Sequence, residues 1–470
     1  MFKVFMLYEV NPTTWFYLSS LMTMGIFFKF RRVWSVRNLD LAVLSLLAPG
    51  MLLISYGYSR EGYPFLLTIS LLLLVRMLCD PMMVRRPLLD VNLSKGGMVF
   101  SCLALVVFLI AGTFLTQWRE PTSPQTATMQ QLLTRQLNER ILESEKETSW
   151  TDEVERMPQV VHGTGLPFFT WFADAPRNYL LENLRYERSL ETLDEEMETA
   201  TLTPPRFPVR LFWLTQLVVV LGQLGIVVGM ILVGTYHFEN FSIGVAAATL
   251  YLLLPYSAQI PARIDHIVPA ALLVWAIFSY RLPSLAGVLI GLAAALTYYP
   301  IFLIPLWSAF YWNRGLYRFL ATSFSTILLL LAIAIPLAGG WEPFGQQLAD
   351  TLGFIGIFSR YADGIWDPGQ HSSLFRIPVI TAYVILVLFL AFWPAQKNLG
   401  TLLSSSAALM VGAQFCQPFQ GGLYMAWFLP LMILVIFRPN LEDRVAMRAL
   451  VKKRRRLSSM RPNREYFPTS

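Results

Sequence analysis

Charge is scarce in this chain of 470 residues: 14% are charged, against 55% that are hydrophobic. A soluble protein of this length could not cover that much apolar surface with so little charge, so a soluble globular fold is excluded. Cysteine is scarcer still, with three residues in all. Cys79 and Cys102 lie in or beside apolar runs and Cys416 ends another, and no CxxC spacing occurs. A disulfide framework and a thiolate metal site are therefore both unexpected. Neither GxGxxG nor GxxxxGK[ST] is present, and no soluble stretch remains to hold a Rossmann sheet or a P-loop. The opening "MFKVFMLYEV" has one Lys and no small-residue cleavage site before the first apolar run, so it is expected to belong to the mature chain.

What the sequence has is long apolar blocks, and its mean hydropathy is +0.50. "LDLAVLSLLAPGMLLISYGY", "GGMVFSCLALVVFLIAGTFL" and "LFWLTQLVVVLGQLGIVVGMILVG" each approach or reach the roughly 20 apolar residues of a spanning helix. The expected fold is all-α, a polytopic transmembrane helical bundle of about 11–13 spans with amphipathic surface helices in a large outer loop. Candidate spans are 15–30, 40–57, 64–79, 96–116, 210–234, 241–259, 267–280, 284–298, 300–312, 318–338, 374–394, 400–416 and 422–437. Basic residues favour cytoplasmic loops. With an outside N-terminus, "KFRRVWSVRN", "RMLCDPMMVRRPLLDVNLSK", "WNRGLYR" and the tail "LVKKRRRLSSMRPNR" all fall in the cytoplasm. The same rule decides one ambiguous stretch, "LAGVLIGLAAALTYYPIFLIPLWSAFYW". A single helix there would put Lys452, Lys453 and Arg454 outside, so a hairpin turning at Tyr299-Pro300 is expected. The arms 267–280, 284–298 and 300–312 are then short, which suits helices buried beside a cavity.

Two long connections fall outside, 117–209 and 339–373. In the first, Met129, Leu133, Leu137 and Ile141 repeat at helical spacing opposite Arg135, Glu139 and Glu143. Leu180, Leu184, Tyr186, Leu190, Leu193 and Met197 form a second such face. Both are expected to lie on the membrane surface. The chain thus divides into a three-span N-terminal extension (1–95), a module with both outer loops (96–375), further spans (376–437) and a basic cytoplasmic tail (438–470). Attraction to anionic membrane lipids explains "KKRRR", and no nucleic-acid partner is expected. Gly222, Gly225, Gly229 and Gly234 are expected to allow close helix packing.

An ionisable group at the edge of a span is costly and so a functional candidate. The densest group is Arg263, Asp265 and His266 in "QIPARIDHIVPAALLVWAIF". One reading is a capping pair, with Asp265 as helix N-cap and Arg263 bonded to it. The other is a catalytic or substrate-binding site. The second outer loop offers Arg360, Asp363, Asp367, His371 and Arg376, which suit a phosphorylated or sugar ligand, although Asp-Gly and Asp-Pro-Gly are also ordinary turn formers. The first outer loop offers Asp152 in "SWTDEVERM" and Asp174 in "FTWFADAPRNY". Apolar neighbours such as Trp171 and Phe172 raise a carboxylate's pKa, which suits a general base.

The order of parts from the fourth span onward resembles the C-superfamily glycosyltransferases, which use polyprenyl-phosphate sugars and include the polyprenol-phosphate mannosyltransferases and the aminoarabinose transferases. "IDHIVPAALLVWAIFSYRLPSLAGVLIGLAAALTYYPIFLIPLW" looks like their acidic residue before an apolar helix, then "aGlllGLaaltK-P", then a proline-punctuated helix. The resemblance covers roughly 96–375, with specific texture in about 260–307. It implies a hexosyltransferase-type enzyme in the plasma (inner) membrane, transferring sugar from a polyprenyl-phosphate donor to an acceptor on the extracytoplasmic face. Asp152 or Asp174 would match the family's acceptor base, and Asp265 its acidic residue before a core helix. Where the family often carries a Lys that meets the lipid phosphate, Tyr298 follows Thr297 here. Arg263, His266 or Arg360 would have to supply that charge, with Tyr298 and His371 as further binding residues. The cofactor stays open, a divalent cation being one candidate, and no residue is assigned as a metal ligand.

Two other readings stay open. A secondary transporter predicts midplane charges and an internal repeat. A non-catalytic scaffold predicts that the outer acids can be replaced without loss.

Overall fold

The computed structural model describes residues 12–31, 33–83, 91–119, 209–259, 263–337, 341, 364–366, 373–394, 397–417 and 421–441. The two amphipathic faces of the first outer loop, Asp152, Asp174, Arg360, His371 and most of the basic tail lie outside the described residues. Among the described residues every regular element is helical. Six helices among the described residues are long and apolar enough to cross a membrane, and five more are apolar but shorter. The chain is an integral membrane protein with an all-α polytopic bundle.

α1 (Pro12–Phe27) enters a turn held by Asn38, whose Oδ1 accepts from the Lys29 amide at 2.9 Å and whose Nδ2 donates to the Lys29 carbonyl at 3.1 Å. α2 (Val36–Ser45) then starts on a Ser35 cap. It breaks at Leu46 into α3 (Leu47–Ser55), because Pro49 has no N–H to offer the Ser45 carbonyl one turn back. α4 (Ser59–Cys79), α5 (Lys95–Arg119) and α6 (Val209–Tyr236) are the long spans that follow. The shorter α7 (Phe241–Leu253), α8 (Pro255–Gln259), α9 (Ile264–Phe278) and α10 (Pro283–Thr297) come next. A 3-10 turn, Tyr299–Leu303, then leads into α11 (Ile304–Phe310). α12 (Leu316–Leu337), α13 (Arg376–Phe392), α14 (Leu399–Cys416) and α15 (Leu429–Phe437) complete the order.

Contacts between helix ends give the bundle two distinct ends. At one, His237 Nε2 meets the Phe278 carbonyl at 2.7 Å, Tyr311 Oη donates to the Tyr280 carbonyl at 2.6 Å and Arg438 Nε donates to Asp80 at 3.0 Å. At the other, Tyr298 Oη donates to Gln417 at 3.4 Å and Trp427 Nε1 donates to the Asp265 carbonyl at 2.9 Å. The chain therefore leaves Tyr280, reaches Gln417 at Tyr298 and is back beside Tyr280 at Tyr311. The expected hairpin is present, although its break falls at Tyr298 (φ +44°) rather than at Tyr299-Pro300. Lys29, Arg31, Arg37, Lys95, Arg281, Arg314, Arg318 and Lys397 all belong to the first, basic end.

With lipid on the outside there is no hydrophobic drive to bring helices together, so close packing of small residues does that work. A Cβ on Gly234 would lie 2.2 Å from the Cα of Gly244, so α6 and α7 touch backbone to backbone. On α10, Gly287 and Gly291 do the same against α12, where added Cβ atoms would meet the Phe319 carbonyl at 2.6 Å and the Ser323 carbonyl at 2.8 Å. Of the residues of α14, 94% are buried and the helix occupies the centre, whereas only 17% are buried in the most apolar stretch of α12, which presents Phe324, Leu328 and Leu329 outward.

At the basic end a charge network ties the first helices to the last. Arg76 donates from Nε to Asp40 Oδ1 at 2.7 Å and from Nη1 to Asp80 at 3.3 Å, and Arg438 donates to the other Asp80 oxygen. Gly400 leaves room for it, since a Cβ there would stand 2.6 Å from Arg438 Nη1. α2 and α4 are thus tied to the residue that follows α15, beside the start of α14.

Candidate functional site

The end opposite the basic one holds the Arg263, Asp265 and His266 group. α9 begins at Ile264, and its N-cap is Arg263, with no side-chain capping bond. The capping reading of Asp265 is corrected on this point: Asp265 sits inside the first turn, and its carboxylate faces the Arg263 guanidinium. Nη2 lies 2.8 Å from Oδ2 and Nε 3.3 Å from Oδ1, a two-pronged pairing. Asp265 is 3% exposed and His266 is fully buried.

The sequence places a further partner here through a proline. Pro269 lies one turn after Asp265 and has no N–H, so the Asp265 carbonyl loses its helical partner. The indole of Trp427 donates to that carbonyl instead. A neighbouring element satisfies the freed backbone group, as an apolar surrounding demands. Trp427 belongs to the short stretch between α14 and α15. Gln414 grips that stretch from α14, using both amide atoms on the backbone of Tyr424 at 3.1 Å each.

Aromatic rings wall the group. Tyr256 Oη lies 2.5 Å from His266 Nδ1, and the Tyr424 ring stands 4.5 Å from the His266 ring, centroid to centroid. The same Tyr424 ring lies under the guanidinium, 5.5 Å from Arg263 Cζ. Tyr299 continues the wall from Trp427 at 5.6 Å, and Tyr298 from Tyr299 at 4.4 Å. Burial opposes the charge on Arg263, but Asp265 beside it overcomes that effect and raises its pKa. Burial, partly offset by Arg263, pushes the Tyr424 hydroxyl up to about 12, so it stays protonated.

Tyr298 holds a left-handed backbone between α10 and the 3-10 turn. A non-glycine residue there costs on the order of 1–3 kcal/mol and persists where its surroundings fix it. Arg376, the first residue of α13, is buried at the same end and donates from Nη2 to the Cys416 carbonyl at 3.2 Å.

Of the residues singled out from the sequence, Arg263, Asp265, His266 and Tyr298 come together at one end through Tyr424, Trp427 and Tyr299. Asp152, Asp174, Arg360 and His371 lie outside the described residues. Tyr256, Gln414, Tyr424 and Trp427 were not foreseen. The one local signal for them was Pro269, which announces an orphaned carbonyl but not its partner. Among the described residues no group of three His, Cys, Asp or Glu side chains gathers to hold a metal ion. The chain matches no protein-family model, no curated protein and no solved structure.

Proposed function

We propose that the protein is a membrane glycosyltransferase that takes a sugar from a polyprenyl-phosphate donor at the Arg263 end of the bundle. The observation that carries this reading is a half-buried, charged guanidinium held by the buried Asp265 within a wall of Tyr256, Tyr424 and Trp427. A lipid-linked donor arrives between helices and needs a cation for its phosphate and flat apolar faces for its sugar. The order of spans and loops, which resembles the polyprenyl-phosphate-sugar transferases, supports the same reading.

The chemistry divides among the residues as follows. A carboxylate of the first outer loop, Asp152 or Asp174, takes the proton from the acceptor hydroxyl. The acceptor oxygen forms its bond to the anomeric carbon while the bond from that carbon to the phosphate oxygen breaks. Polyprenyl phosphate leaves with the electron pair, and the configuration inverts. Arg263 stabilises the charge that grows on the phosphate. Asp265, bound to Arg263 through both oxygens, orients that guanidinium and is poorly placed to act as the base. The basic end faces the cytoplasm by the positive-inside rule. The site then works on the extracytoplasmic face of the plasma (inner) membrane, with the N-terminus outside and the C-terminus inside.

The test is release of polyprenyl phosphate from a panel of polyprenyl-phosphate hexoses and pentoses by the purified protein in proteoliposomes. Turnover should fall by roughly 10²–10⁴ in Asp152→Asn or Asp174→Asn, the usual contribution of a general base. Donor binding should be unchanged. Turnover of no donor, or full turnover by both variants, would overturn the assignment and favour a transporter or a scaffold.

A further inference from the structure

A second feature lies at the basic end, away from the Arg263 group and independent of the transferase reading. Between α6, α9 and α10 a groove of about 420 Å³ is lined by Tyr236, Trp275, Phe278, Arg281, Leu285 and Leu289, among others. Leu282 and Leu289 are seven residues apart on and just before α10, so the groove runs about 10 Å along the helix from the basic end into the bilayer. Its outer rim is open towards lipid: Tyr236 is 63% exposed and Leu285 46%.

Each wall is fixed. Trp275 is held by its indole N–H on the Gly225 carbonyl at 3.0 Å, and a Cβ on Gly229 would meet Val274 at 2.7 Å, so α6 and α9 pack closely along this wall. His237 closes the basic end of this pair through its bond to the Phe278 carbonyl. At the mouth stands Arg281. Its Nε donates to the hydroxyl of the buried Tyr280 at 3.0 Å, and its guanidinium lies 5.6 Å from that ring's centre. Tyr280 is in turn held by Tyr311, whose hydroxyl donates to its carbonyl. The two terminal nitrogens of Arg281 have no hydrogen-bond partner among the described residues.

We infer that this groove is a binding site for an anionic phospholipid, with the acyl chain along Leu285, Leu289 and Trp275 and the phosphate on Arg281. The walls suit a hydrocarbon chain. The anchored guanidinium at the membrane-surface end suits a phosphodiester, and the lateral opening admits a ligand from the bilayer. A water-soluble anion would use the guanidinium alone and leave the groove without a role.

Native mass spectrometry of the detergent-purified full chain tests the inference, with phosphatidylglycerol and phosphatidylcholine of identical chains titrated separately. One equivalent of phosphatidylglycerol should be retained at least tenfold more tightly than phosphatidylcholine. Arg281→Gln should abolish that preference, and Leu285→Trp, which fills the groove, should weaken both lipids. Lys95→Gln, which removes an exposed charge at the same end, should leave the preference intact. Equal retention of the two lipids, an unaltered preference in Arg281→Gln, or a loss in Lys95→Gln equal to that in Arg281→Gln would each overturn the site.

Discussion

Trp427 and Pro269 form a pair whose meaning lies in one carbonyl. The proline deprives the Asp265 carbonyl of its helical donor, and the indole replaces it. Trp427→Phe should therefore leave a buried acceptor unpaired and cost about 1–3 kcal/mol beyond the loss of ring area. Pro269→Ala restores the backbone donor, so the same Trp427→Phe change should cost less in that background. Thermal unfolding of the four proteins of the cycle in one detergent measures the difference, and strict additivity would show that the carbonyl is not the link. At this scale the sequence was half legible. Arg263, Asp265 and His266 stood out because charge is rare in apolar runs, and Tyr298 because of its place in a recognisable pattern. Their partners did not stand out. Tyr424 and Trp427 lie more than 150 positions away from the triad in a chain rich in aromatics, and any membrane interface uses such residues.

Among the elements, glycines separate into those that bear on packing and those that do not. Gly234 faces the Gly244 backbone, whereas a Cβ on Gly225 would meet Ala271 and Trp275 at 3.6 Å, an ordinary contact. Gly225→Ala should then be neutral or stabilising by up to about 1 kcal/mol through helix propensity. Gly234→Ala should lower the melting temperature clearly, by pushing α6 and α7 apart. Circular dichroism melts check both, and a Gly234→Ala protein as stable as the parent would contradict the backbone contact. The apolar blocks predicted the order of helices well, because a spanning segment needs only length and composition. Ends were less legible. The expected span 422–437 becomes α-helical only at Leu429, after a 3-10 turn at Met425–Trp427, because Gly422 (φ +98°) and the Gln414 grip on Tyr424 hold the preceding stretch in another shape. The expected span 300–312 opens as a 3-10 turn before α11 for a related reason, with Pro300 and Pro305 each near the start of its segment.

For the whole molecule, the asymmetry of basic residues between the two ends is the feature on which orientation rests. In a background with Cys79→Ala, which removes the exposed thiol, Arg314→Cys should resist a membrane-impermeant maleimide in intact cells and react after permeabilisation. Arg60→Cys, near the start of α4 at the opposite end, should react in intact cells. The reverse pattern would turn the bundle over and place the Arg263 group in the cytoplasm. The charge network of Asp40, Arg76, Asp80 and Arg438 was not legible in the sequence, since its members are up to 398 positions apart and each lies at the end of a candidate span or just beyond one, where a single charge is ordinary. It shows why α2 and α4 belong to the bundle rather than trailing from it.

The central claim is that the Arg263 end receives a lipid phosphate, and equilibrium binding of polyprenyl phosphate to the detergent-purified protein tests it most directly. Wild type should bind saturably, and Arg263→Ala should bind roughly 10–100-fold more weakly, as loss of a charge-assisted hydrogen bond to a buried site implies. Arg263→Lys should fall between them, and Arg281→Gln should bind as wild type does. Absence of saturable wild-type binding, or unchanged binding by Arg263→Ala, would contradict the account.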